Sequence, residues 1–508
     1  MVKCITDYLD KTAKIYPDKV AFADINVEMT FKQLREEAHC VAGALIRCEV
    51  FKQPIIVFME KTPQCIAAFM GVAYSGNFYT PLDTSMPSER IDKIIDVLEP
   101  AVIISDKKNE MMARDIASAD VKVLLYDDIV VQGYALEVIE NVNARIIDTD
   151  VLYVLFTSGS TGMPKGVIVS HRSVIDHAEW ASNSLGFNSS NIFANQSPFY
   201  FDHSILEIFQ TIRNGATLYI VPQNMFSFPK KLMSYLAERC VDSLIWVPSA
   251  LCYLANLGAV EKYFLPKLKN VMFGGEVMPV PQYKIWKKKY PDVQFVNLYG
   301  PTEATDDSTY YVIKRDLADN ESIPIGIACS NTDVFLLDEY DHLICESYKE
   351  GEICIRGTSV AYGYYRNQEK TREVFVQNPL HNLYEEKIYR TGDIAMYNEF
   401  NEIIYVGRRD FQIKHMGRRI ELGEIENAAL TIPLIERVCC VYDSPRKQII
   451  MYYVGDVDSE SILLHLRGRI PDYMAPARVI KLKEMPLNLN GKIDRKKLKG
   501  ELANEIER

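Results

Sequence analysis

Residues 151–156, VLYVLF, are six consecutive apolar residues that stop at once against TSGSTGMPKG (157–166). A run of that length before a turn-rich stretch predicts a strand covered on both faces. PIIVFME (54–60) and AVIISD (101–106) read as buried strands in the same way. Helical patterns separate them: TPQCIAAFMGVAYSG (62–76) ends at a glycine, and RIDKIIDVLEP (90–100) stops at a proline. The N-terminal twenty residues have the spacing of an amphipathic helix. Alternating strands and helices call for mostly parallel, covered sheets. Further on, DVFLLDEYDHLICESYKEGEICIRG (333–357) carries turn-separated strands and predicts an antiparallel element. The expected fold is therefore an α/β large N-terminal domain with several sheets.

The stretch after VLYVLF has its own chemistry. Glycines allow positive φ and close backbone approach, so several N–H groups can point at one anion. Hydroxyls of Thr157, Ser158, Ser160 and Thr161 add donors, and Lys165 adds a point charge. Such a loop suits phosphate, yet it lacks the GxxxxGK[ST] spacing of a P-loop. Taken alone it could also be a flexible surface turn.

A chain of 508 residues has room for two or three domains. From Asp410 to the end there are 17 Lys/Arg against 15 Asp/Glu, whereas the whole chain carries −11, so the first 409 residues carry −13. This shift places a boundary near Arg408–Asp410: a large acidic domain over 1–409 and a small basic one, expected to be α+β, over 410–508. The acidic balance argues against non-specific nucleic-acid binding. No apolar run reaches the roughly 18 residues of a membrane span, and no apolar core of a signal peptide opens the chain. Eleven scattered cysteines without a CxxC suit a reducing cytoplasm and neither a disulfide framework nor a zinc site.

TSGSTGMPKG resembles the signature loop of the adenylate-forming (AMP-binding) superfamily, which includes acyl-CoA synthetases, luciferases and amino-acid adenylation domains. The remaining motifs follow in family order: FYTPLD (78–83), FDHSILEIF (201–209), NLYGPTEAT (297–305), GEICIRG (351–357), YRTGD (389–393), GRRDFQIKHMGRRIELGEIE (407–426) and NGKIDR (490–495). The resemblance spans nearly the whole chain. It is greatest to stand-alone amino-acid adenylation enzymes, especially D-alanine–carrier-protein ligases.

That resemblance implies a two-step ligase. A carboxylate attacks the α-phosphate of ATP, and a thiol then takes the acyl group. Thr157, Ser158, Gly159, Ser160, Thr161, Gly162 and Lys165 would cradle the β- and γ-phosphates. Tyr299 would stack on adenine and Asn297 would meet its amino edge. Thr302 would contact the α-phosphate and Glu303 would ligate Mg²⁺, a hard cation that wants oxygen. Asp393, assisted by Arg408, would hold the ribose hydroxyls. Lys492 would be the catalytic lysine, although NGK in isolation is a hairpin turn. Asp410 would be the hinge of domain alternation, and Gly417 would lie on the loop that meets the thiol arm.

Asp202 matches the aspartate that pairs with an α-ammonium, which favours an amino acid over a plain acid; in isolation it could be a helix cap. His203, Leu206, Ser249, Met272, Gly274, Leu298, Asp306 and Asp307 would line the side-chain pocket. D-Alanine ligases normally carry Cys where this chain has Gly274, and apolar residues where it has Asp306 and Asp307. The departure favours a polar, amine-bearing or hydroxylated substrate, unless the two aspartates face water. No carrier segment follows NGKIDR, so the expected acceptor is an acidic phosphopantetheinylated carrier protein acting in trans. RKKLK (495–499), RGR (467–469) and GRR (417–419) suit such a partner. The competing possibilities are a D-alanine–carrier-protein ligase proper, an acyl-CoA synthetase using CoA, and a non-catalytic nucleotide-binding protein.

Overall fold

The computed structural model describes residues 2–504 except 160–161, 410–411 and 488–492. Its contacts divide the chain into two units. The first comprises Met1–Thr84, Leu98–Leu155 and Gly166–Arg409; the second comprises Ser85–Val97, Phe156–Lys165 and Asp410–Arg508. The two short early segments of the second unit leave no trace in the charge pattern.

Three sheets lie in the first unit, apart from residues 156, 157 and 165 of the second sheet, which the division assigns to the second unit. In the largest, six strands run parallel in the order Gln294–Tyr299, Asn270–Gly274, Ser243–Ile245, Ile192–Asn195, Thr217–Ile220 and Val20–Ala23. Antiparallel strands close both edges: Thr309–Val312 and Ile327–Ala328 at one, Glu28–Thr30 at the other. The second sheet has the order Lys122–Leu125, Val102–Ser105, Pro54–Phe58, Phe78–Pro81, Val151–Thr157 and Lys165–Ser170. Here are the strands expected at 54–60, 101–106 and 151–156. The third sheet is antiparallel, with Thr332–Leu337 and Gly351–Gly357 paired and Lys387–Tyr397 beside them.

Local signals set the helices. Thr30 and Gln33 form a capping box that starts Phe31–Arg47. Ser170 caps His171–Leu185, which ends at Gly186 with φ 76°. Every residue of Pro63–Tyr74 except Gln64 is buried; the helix approaches Phe31–Arg47 so closely that a Cβ on Gly71 would lie 2.4 Å from the Val41 Cβ.

In the second unit Gln412–His415 pairs with Arg418–Glu421, and Ile435–Asp443, Gln448–Gly455 and Arg478–Lys481 form a three-stranded sheet. Helices Leu422–Leu430 and Ser459–Arg467 supply apolar residues to its core. Among the described residues no helix is long and apolar enough to cross a membrane.

Candidate active site

The apolar strand Val151–Thr157 delivers the glycine- and hydroxyl-rich loop, as its sequence demands. Gly162 sits at φ 80° and its N–H donates to the Gly159 carbonyl. A Cβ on Gly159 would lie 2.0 Å from the Met163 carbonyl oxygen, so only glycine fits there. Within the second unit the Ser158 hydroxyl donates to the Arg419 carbonyl at 2.9 Å, and Lys165 Nζ lies 3.7 Å from the Glu421 carboxylate. The Thr157 hydroxyl donates to the Lys165 carbonyl. Ser160 and Thr161 lie outside the described residues.

In the first unit the strand Gln294–Tyr299 runs into a folded-back loop. Its base is closed by the Ser308 N–H on the Tyr299 carbonyl at 2.8 Å. Inside it, Thr302–Ala304 makes a single 3₁₀ turn, and Thr305 and Asp306 both have left-handed backbones, at φ 56° and 65°. Gly300 makes this possible: a Cβ there would stand 1.8 Å from the Asp306 carbonyl oxygen. Two consecutive non-glycine residues at positive φ are costly, and such strain concentrates at functional turns.

Glu303 is fully buried in that turn. The Tyr364 hydroxyl donates to Oε1 at 2.6 Å, and the Ala361 N–H donates to the Glu303 carbonyl. The Thr305 hydroxyl donates to the Ser359 carbonyl, so the segment 359–364 braces the turn from one side. An oxygen donor of this kind, oriented by a phenol, fits a hard divalent cation.

Tyr299 and Asp393 are both buried, and the tyrosine hydroxyl donates to Asp393 Oδ2 at 2.6 Å. Burial, with the carboxylate beside it, raises this phenol well above its usual range and keeps it a donor. Arg408 is the register partner of Asp393; its Nη1 donates to Asp393 Oδ1 at 3.1 Å and to the Thr391 carbonyl. Each carboxylate oxygen retains a second lone pair with which to accept a hydroxyl. The Asn297 amide donates to the Pro324 carbonyl at 2.8 Å.

The pocket residues fall into groups. Gly274 pairs in register with Leu298, and a Cβ added there would lie 3.0 Å from the Leu298 carbonyl oxygen and 3.5 Å from His203 Cε1. Its missing side chain is thus matched by close packing and leaves little added room. Leu206, Met272 and Leu298 belong to the apolar core. The Ser249 N–H donates to Glu276. Asp202 accepts from its own neighbour's N–H, that of His203, and does not cap the helix Ser204–Asn214. Asp306 and Asp307 are 5% and 3% exposed, so neither faces water.

Two histidines face these aspartates. His203 Nδ1 stands 3.6 Å from Asp306 Oδ1. His177 Nε2 stands 4.0 Å from Asp306 Oδ2 and 3.5 Å from Asp307 Oδ2. Burial works against a charged His203, but Asp306 outweighs it and holds the imidazole up at about 9. His177 is raised for the same reasons, with Asp307 the main partner. Burial, and Asp307 alongside, raise the Asp306 carboxyl.

His177 and Tyr364 were not among the residues expected from the sequence. A weak signal for His177 was present: it follows Val174 by three and precedes Ala181 by four, a polar residue on the buried face of its helix. Nothing local marks Tyr364. Lys492 and Asp410 lie outside the described residues.

The chain matches the AMP-binding enzyme family over residues 9–365 and the AMP-binding enzyme C-terminal domain over 424–492. It is 30% identical over 519 residues to the D-alanine–D-alanyl carrier protein ligase of Lacticaseibacillus casei (strain BL23), covering 99% of this chain and 100% of that protein. It is 31% identical over 512 residues to zwittermicin A synthase ZmaJ of Bacillus cereus, covering 98% and 95%. Identity to a linear gramicidin synthase of Brevibacillus parabrevis is 32% over 97% of this chain, which spans 6% of that relative's length. Among solved structures, holo-PA1221, an NRPS protein containing adenylation and PCP domains, superposes with a TM-score of 0.83 at 24% identity, covering 98% of this chain and 84% of that one. IdnL1 superposes with a TM-score of 0.80 at 23% identity, covering 96% and 99%. These two likenesses concern the fold.

Proposed function

This chain belongs to the AMP-binding enzyme family, and from that premise we propose that it is an amino-acid adenylating ligase. It activates an amino acid as its adenylate, releases pyrophosphate, and passes the acyl group to the phosphopantetheine thiol of a separate carrier protein. The observation that carries this is the end-to-end match to a D-alanine–D-alanyl carrier protein ligase, 99% of one chain on 100% of the other.

The residues divide the work by chemistry. The first step brings a carboxylate against a polyphosphate, so the chain must supply cations and fixed donors. Thr157, Ser158, Gly159, Ser160, Thr161, Gly162 and Lys165 are assigned to the β- and γ-phosphates of ATP. Asp393, buttressed by Tyr299 and Arg408, accepts the ribose hydroxyls; Asn297 and Tyr299 flank the base. Thr302 contacts the α-phosphate. Glu303, held by Tyr364, would carry Mg²⁺, whose chemistry is to neutralise phosphate charge as pyrophosphate leaves. Lys492 bridges carboxylate and α-phosphate. Asp202 pairs with the α-ammonium, while His203, Leu206, Ser249, Met272, Gly274, Leu298, Asp306 and Asp307 shape the side-chain end. Asp410 and Gly417 belong to the thioester step. A large domain over 1–409 and a small one over 410–508 are part of the same proposal. The basic excess of 410–508 supports an acidic carrier. Eleven free thiols support a cytoplasmic setting.

The test is amino-acid-dependent exchange of pyrophosphate into ATP across a panel of L- and D-amino acids and amine-free acids. Loading of phosphopantetheinylated carrier proteins, followed by mass, comes next with CoA as the competing acceptor. Exchange with amine-free acids alone, or thioester formation with CoA alone, refutes the proposal.

A further inference from the structure

We propose that His177, Asp306 and Asp307 form a subsite for a primary ammonium, so that the enzyme activates an amino acid with a second amine in its side chain. This rests on the adenylation function and names its substrate class.

His177 Nε2 lies 4.0 Å from Asp306 Oδ2 and 3.5 Å from Asp307 Oδ2, and each of the three buried residues presents a polar atom within 4.8 Å of the other two. Neither Nε2 nor either Oδ2 has a hydrogen-bond partner among the described residues, and the His177 side chain is only 1% exposed. A primary ammonium carries three N–H donors and no acceptor; it brings the positive charge that otherwise favours a proton on His177, so in the complex the imidazole is neutral and its Nε2 accepts alongside the two carboxylate oxygens. His203 Nδ1 faces the other Asp306 oxygen, Oδ1, at 3.6 Å. His177 does not discharge the pair by itself. Its Nε2 stands 3.5 and 4.0 Å away, beyond the roughly 2.7–2.9 Å of a charge-assisted bond.

The spacing also separates an ammonium from a metal ion. The 4.0 Å side of the triangle cannot be a chord of any circle smaller than about 2.0 Å in radius, half its length. An ion with bonds of about 2.0–2.1 Å would see His177 Nε2 and Asp306 Oδ2 at an angle of about 145° or more, far from tetrahedral. A nitrogen hydrogen-bonded at about 2.8 Å instead sits above the plane of the triangle, with its carbon directed away from it. The triangle adjoins the pocket through Asp306 and His203, and His203 packs on Gly274 and follows Asp202 in the chain. Asp202 would hold the α-ammonium at one end and the triangle the second ammonium at the other. Two buried carboxylates that each leave an oxygen without a hydrogen bond are costly, and a methyl side chain donates nothing to them.

The experiment compares kcat/KM in pyrophosphate exchange for 2,4-diaminobutyrate, ornithine and lysine with their neutral counterparts 2-aminobutyrate, norvaline and norleucine, and with D-alanine. One diamino acid should exceed its neutral counterpart by about 30-fold or more, the discrimination expected from a buried charge pair. In Asp307→Asn and His177→Phe that ratio should collapse toward one. If Asp307→Asn fails to fold, the wild-type panel still decides. A neutral amino acid or D-alanine preferred over every diamino acid overturns the subsite while leaving adenylation standing. So does stoichiometric Zn²⁺ or Mn²⁺ in the purified wild type that His177→Phe releases. Exchange with amine-free acids alone would instead refute the amino-acid reading itself.

Discussion

The Tyr364 hydroxyl and the Glu303 carboxylate, 61 residues apart in sequence, meet at 2.6 Å in the interior. The phenol fixes one oxygen of a side chain that has no water to solvate it, and so sets where the other oxygen points. If Glu303 is the Mg²⁺ ligand, Tyr364→Phe should leave the fold and raise the Mg²⁺ concentration for half-maximal pyrophosphate exchange by about tenfold, the usual cost of losing an outer partner. Glu303→Gln should nearly abolish exchange. An unchanged Mg²⁺ dependence in Tyr364→Phe would remove the support for that assignment.

Gly300 and Gly274 offer a graded test of backbone approach. A Cβ at Gly300 overlaps the Asp306 carbonyl oxygen at 1.8 Å, and backbone cannot step aside as a side chain can. At Gly274 the contact to Leu298 O is 3.0 Å and calls for a shift of a few tenths of an ångström. Urea unfolding should show Gly300→Ala destabilised by about 3 kcal/mol or more and Gly274→Ala by about 1–2 kcal/mol. Equal losses would mean that the loop at 300–306 yields more easily than its left-handed residues imply.

Glu207 gives a pH signature. It is fully buried, accepts a hydrogen bond from Asn195, and burial pushes its carboxyl up to about 8. Unfolded, it titrates near 4.5, so between those values the folded chain binds more protons than the unfolded one. Its contribution is complete below pH 4.5 and is lost as pH rises toward 8. His203, held at about 9, acts in the same sense above pH 6.5. Lys61, which burial lowers to about 7, acts in the opposite sense above that pH. Between pH 5 and 7 His39 and His171, which burial lowers to about 4, also act in the opposite sense, so Glu207 is read from the difference between variant and wild type. Across that window, Glu207→Gln should gain on the wild type by about 2 kcal/mol. Parallel curves of unfolding free energy against pH would show that the carboxyl ionises freely in place.

The fold and the motif residues were legible because each leaves a local mark. VLYVLF is a strand from its apolar run, and the loop after it is conspicuous from its glycines. The helix in 62–76 was marked by the glycine that ends it. Asp393 and Arg408 were each marked by motif, although their pairing across neighbouring strands is a matter of register. His177 is different. It lies some 130 residues before Asp307 and meets it only because the buried face of the helix His171–Leu185 packs near the loop that carries the aspartates. One sequence carries no trace of that distance. Tyr364 is hidden for the same reason. The aspartates at 306 and 307 were visible as charges, but only burial decides whether they face solvent or one another.

The turn at Met416–Gly417 separates the two chemical steps. His415 pairs with Arg418, so two residues connect the strands Gln412–His415 and Arg418–Glu421. Both have positive φ, 52° and 76°, the primed-turn geometry that suits the strands' twist and favours glycine in the second place. A β-branched residue there is strained by about 1–2 kcal/mol, a local distortion in a turn whose Met416 is 58% exposed. If this hairpin serves the thioester step, Gly417→Val should hold pyrophosphate exchange within about threefold of wild type while slowing carrier loading by about 30-fold or more. Lys492→Ala should do the reverse at the first step: exchange should fall by roughly 3–4 kcal/mol of barrier, as when a donor to developing charge is lost, with ATP binding kept. Loading of carrier from a supplied aminoacyl-adenylate then discriminates, because Lys492→Ala should catalyse it and Gly417→Val should not. If Gly417→Val lost both steps equally, the turn would be a structural element of the small domain with no part of its own in thiol transfer.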